Sequence, residues 1–87
     1  MKVAVWDTYV TKPNGTVMNF DIIVPQSETN PEVIYGYGKA YLQSKAISDY
    51  PLTANQCAFC HFERATPAME ESIRQKGYFI LELKNCR

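Results

Sequence analysis

Cys57, Cys60 and His61 are the residues whose types and spacing point most directly to chemistry. Offsets of three and four along a helix place two thiols and an imidazole within about 100° of arc, on one face. That suits a tetrahedral Zn²⁺ bound by two thiolates and a ring nitrogen, with Cys86 near the end of the chain as a fourth ligand. A single Cys-x-x-Cys with a distant cysteine is a weaker signal than two such pairs. The plain alternative makes Cys57 and Cys60 small buried hydrophobes, with His61 at the helix edge. A third reading is thiol redox chemistry, with Cys57 attacking and Cys60 resolving. It needs Cys57 in the opening turn of a helix, where the thiolate is stabilised. Covalent haem fits the letters Cys-x-x-Cys-His, but haem is attached in exported proteins and the opening residues carry no export signal.

Asp7 and Asp21 are the second candidate pair. As cross-strand neighbours they would be like charges side by side, which destabilises a sheet. A bound cation, one carboxyl with a raised pKa or a nearby lysine would relieve the cost. Lys2, Lys12 and Lys84 are the candidate lysines, and Glu82 is placed on the same sheet face. With a single histidine in the chain, no nucleophile, base and orienting residue can be assembled into a hydrolytic triad. Gly36-Tyr37-Gly38-Lys39 lacks the spacing and the hydroxyl residue of a phosphate loop.

The elements that must position these residues begin with a hairpin. Lys2 to Thr11 reads as a strand rich in β-branched and aromatic residues, and Thr16 to Val24 as its partner. Pro13-Asn14-Gly15 between them favours a three-residue loop, proline pre-set for a type I turn and glycine free to take positive φ. With Lys12 opposite Thr16, Ala4, Trp6, Thr8 and Val10 share a face with Met18, Phe20, Ile22 and Val24. The other face then pairs Val5 with Ile23, Asp7 with Asp21 and Tyr9 with Asn19. A two-residue Asn-Gly loop would instead carry Asp7 to the face of Phe20.

After a polar loop, Asn30 caps a helix that opens on Pro31 and runs to about Ala46 or Ile47. Val33, Tyr37, Ala40, Tyr41 and Ser44 form its inward stripe, and Gly36 and Gly38 inside it suggest close packing or a frayed first turn. Thr53-Ala54-Asn55-Gln56 has capping-box spacing and predicts a second helix from about Ala54 to Glu63, carrying the cysteines. Thr66-Pro67 opens a third helix with Met69 and Ile73 on its buried edge, and Gly77 ends it. Tyr78 to Lys84 is the last strand.

The expected fold is therefore α+β in the order ββαααβ, one domain over residues 1–87. Its three-stranded antiparallel sheet has the order 2-1-3, with the helices packed on one face. The outer face would then show Val3, Val5, Val17, Ile23, Tyr78 and Ile80, too apolar for open water. Either a helix covers it, or an unknown protein partner or a second copy does, as a homodimer.

Composition narrows the function classes. Nine basic and nine acidic side chains cancel and are scattered, so nothing marks a nucleic-acid or anionic-membrane binder. Apolar residues make up 46% of the chain and charged residues 21%, ordinary for a folded protein. Met1-Lys2 leads into Val3-Ala4-Val5-Trp6 and then Asp7, an apolar stretch too short for a signal-peptide core or a bilayer span. A cytoplasmic protein with reduced thiols is expected, and three cysteines argue poorly for a disulfide framework.

Asp7-Thr8-Tyr9-Val10, Val17-Met18-Asn19-Phe20-Asp21, Cys57-Ala58-Phe59-Cys60-His61, Gly77-Tyr78-Phe79-Ile80 and the near-terminal Cys86 follow one another in that order. Together they resemble a family of small bacterial proteins catalogued as domain of unknown function number two thousand and twenty-four. The resemblance covers essentially the whole chain. It implies a compact α+β fold and no established activity. In the family pattern a histidine often follows the Val-Met pair, where this chain has Asn19. The reading that results is a small cytosolic binding module, stabilised by zinc on the Cys-x-x-Cys-His helix, with the thiol redox protein as its alternative.

Overall fold

In a computed structural model of the chain, residues 1–47, 51–56 and 65–86 are described. The fold is built outward from the first hairpin. Strand β1 (Val3–Thr11) and strand β2 (Val17–Pro25) run antiparallel, with Asp7 opposite Asp21, Tyr9 opposite Asn19 and Val5 opposite Ile23. The loop sets this register. Lys12 N–H donates to the Thr16 carbonyl at 2.8 Å, Gly15 N–H donates to the Lys12 carbonyl at 2.9 Å, and Gly15 takes φ 85°. The proline-led three-residue loop is the one adopted.

Helix α1 (Pro31–Ser44) starts as expected, with the Asn30 side chain accepting from Glu32 N–H at 3.0 Å. Its inward stripe is Ile34, Gly38, Tyr41 and Leu42, turned slightly from the expected one, so that Ala40 and Ser44 face solvent. Gly38 explains itself. A methyl group there would lie 3.3 Å from Leu52 Cδ2 and 3.4 Å from Ile22 Cδ1, so the helix approaches the sheet closely at this point.

Three expectations about the rest of the fold are corrected. Leu52–Gln56 is strand β3, so the capping box and the first residues of the second helix do not form there. Ala54 is buried against the core while Thr53 and Asn55 are exposed, the period-two pattern of a half-buried strand. The open edge of β1 offers backbone partners along that whole segment, which outweighs a four-residue capping signal. Helix α2 (Pro67–Lys76), capped by the Thr66 hydroxyl, and strand β4 (Phe79–Lys84) follow, so the order is ββαβαβ.

Second, the sheet has four strands in the order β3-β1-β2-β4, each pairing antiparallel. Because β3 occupies the free edge of β1, the last strand pairs with β2 and not with β1.

Third, the helices lie on both faces. α1 covers Trp6, Val10, Met18, Phe20, Ile22 and Val24. α2 lays Met69 and Ile73 on Val3, Val5 and Ile23, with Phe79 and Leu81 alongside. Ile80 pairs with Ile22, so Tyr78 and Ile80 belong to the α1 side and Phe79 and Leu81 to the α2 side. Among the described residues no helix is long and apolar enough to cross a membrane.

Candidate functional site

Cys57, Cys60 and His61 lie outside the described residues, as does the remainder of the helix expected to carry them. The chain leaves β3 at Gln56, opposite Trp6, on one edge of the sheet. Cys86 follows β4 at the other edge, about 14 Å across the sheet by three inter-strand spacings, and it is displaced along the strands as well, since Ile80 and not Cys86 is level with Gln56. It is a buried free thiol whose Sγ–H is shared between the carbonyls of Asn19 and Lys84, each at 3.3 Å. Its surroundings are the α1-side core, including Phe20 and Tyr41. Cys86 is therefore engaged as a small core residue. Among the described residues, no group of three or more His, Cys, Asp or Glu is placed to hold a metal ion.

Asp7 and Asp21 are brought together. They face each other across β1 and β2 on the α2 side of the sheet, beyond the stretch that α2 covers. Asp21 is only 9% exposed. Burial pushes its carboxyl up to about 6, and the charge and hydrogen bond of Asp7 push the same way. Asn19 uses both amide hydrogens nearby, donating to Asp7 Oδ1 at 2.9 Å and to the Thr8 carbonyl at 3.0 Å. The Tyr9 phenol is raised above its ordinary value, first by its hydrogen bond to Asp7 and then by that carboxylate's charge. Two carboxyls, an amide and a phenol thus share one patch, with Asp21 disposed to carry the proton.

Of the lysines expected to relieve this pair, Lys2 and Lys84 form no ion pair with Asp7 or Asp21. Lys84 comes nearest in the sheet, opposite Asn19 where a β-bulge shifts the register. Glu82 is a correction to the sequence expectation. It faces α1, where its carboxylate accepts from the Tyr41 hydroxyl and pairs with Lys45 Nζ at 2.6 Å. Lys45 Nζ also donates to the Cys86 carbonyl at 2.5 Å. This network ties the end of α1 to β4, and desolvation with the Glu82 hydrogen bond raises the Tyr41 phenol. Sequence reasoning missed it because the network joins residues 41 apart in the chain.

Among the described residues, three large side chains stand exposed around the acidic pair. Tyr9 is 45% exposed, Val17 41% and Leu83 50%. Tyr9 and Val17 share the face of Asp7 and Asn19, and Leu83 sits at the bulge beside Asn19. The predicted outer apolar face is thus divided: α2 covers Val3, Val5 and Ile23, while Val17 stays exposed. Tyr37 and Tyr41 of α1 pack as expected, Tyr37 stacked on Tyr78 with centroids 4.4 Å apart and Tyr41 against Phe20.

These features define a class: a small α+β domain, a four-stranded antiparallel sheet with a helix on each face, and an acidic patch where one face is left open. The chain belongs to the family described as "Domain of unknown function (DUF2024)", which matches residues 1–83. Among solved structures it is similar to protein NE1680 from Nitrosomonas europaea, determined by NMR. The two are 30% identical over 100% of both chains, with a TM-score of 0.80. No curated protein matches the chain.

Proposed function

We propose that the chain is a small cytosolic binding module that recognises a protein, either a different protein or a second copy of itself, on the open part of the sheet. The observation that carries this reading is the exposure of Tyr9, Val17 and Leu83 around the Asp7–Asn19–Asp21 patch. Large apolar side chains grouped about a few polar ones are the composition of an interaction surface rather than of a solvated sheet. Among the described residues, no nucleophile and base converge on the patch. A photo-crosslinking amino acid installed at Leu83 should give adducts in cells, to itself or to another protein. The same group at Lys39, exposed on α1, should give none. Equal adducts from both positions would sink the reading.

Zinc on Cys57, Cys60 and His61 belongs to the same proposal as a stabilising element. Cys86 is assigned to the core because its thiol proton is already given to two carbonyls. Stoichiometric zinc in protein purified without a chelating column, with melting lowered by a chelator, is expected. Thiol redox chemistry on Cys57 and Cys60 is the competing assignment. The strand at Thr53–Gln56 removes the cap that had placed Cys57 deep in a helix. A Cys57 thiol titrating near 8.5 would count against it.

A further inference from the structure

We draw no further inference here: the strongest candidate, the exposed strip of Tyr9, Val17 and Leu83 on the sheet, belongs to the surface already described, and nothing among the described residues shows what covers it.

Discussion

The Asn19 side-chain amide donates to Asp7 at 2.9 Å and its remaining hydrogen goes to the Thr8 carbonyl, so Asp21, directly across the sheet from Asp7, receives no share of it. A symmetric pair of residue types is thereby made chemically unequal. One carboxylate is stabilised by a donor, and the other is buried and biased toward its protonated form.

That inequality predicts how stability follows pH. Asp21 has a folded-state pKa of about 6, above its ordinary 3.8. The folded state therefore binds the proton more tightly than the unfolded chain. The contribution of Asp21 is most favourable at low pH and is lost as pH rises through about 6. A rise from 3.8 to about 6 corresponds to about 3 kcal/mol against folding at pH 7, as an upper figure. Asp21→Asn should raise the melting temperature at pH 7 and change it little at pH 4. A gain of equal size at both pH values would contradict the assignment.

Asn19→Ala should act in the opposite sense. It removes the amide hydrogen bond to Asp7, at a cost of about 1 kcal/mol, and it leaves Asp7 facing Asp21 without that donor. Chemical denaturation at pH 7 should show the loss. Asp7→Asn combined with Asn19→Ala should recover part of it, because the charge that needed the donor is gone.

The two helical glycines make a matched pair of substitutions. At Gly36 a methyl group meets nothing within 4 Å, so Gly36→Ala should gain about 0.5–1 kcal/mol from helix propensity alone. At Gly38 it meets Leu52 and Ile22 at 3.3 and 3.4 Å, and those side chains must shift. Gly38→Ala should fall well short of the Gly36 gain and should perturb the methyl resonances of both neighbours. Equal gains at the two sites would show that α1 lies less close to the sheet.

The Tyr41–Glu82–Lys45 network should be measurable as a coupling. Tyr41→Phe keeps the ring on Phe20 and removes only the hydroxyl bonded to Glu82, a loss of about 1 kcal/mol. In a Glu82→Gln background the same change should lose less, read by a double-mutant cycle on denaturant midpoints. Strict additivity would mean that the contact does not hold α1 to β4.

Local chemistry made the hairpin legible. Pro13-Asn14-Gly15 fixes one loop length, and that loop length alone places Asp7 beside Asp21 and Tyr9 beside Asn19. The caps at Asn30 and Thr66 were legible for the same reason, since each is a bond within a few residues. Leu52–Gln56 was not. Its strand identity comes from the open edge of β1, and its one buried side chain is the small Ala54. Glu82 was misplaced because its face depends on β4 pairing with β2, a contact between distant segments. In the candidate site, the carboxylate pair could be read from register, whereas the inequality between its members depends on where Asn19 spends two hydrogens.

The strand order has a consequence for how the chain acquires its structure. The two central strands are neighbours in sequence, joined by a short loop. A local hairpin can therefore form early with little loop-closure entropy to overcome. The later strands then add to opposite margins of that template, each alongside its own helix layer. Such an arrangement lets one margin open while the other stays closed, so amide protons of the Leu52–Gln56 strand and of the Phe79–Lys84 strand can exchange in separate events, both ahead of the hairpin.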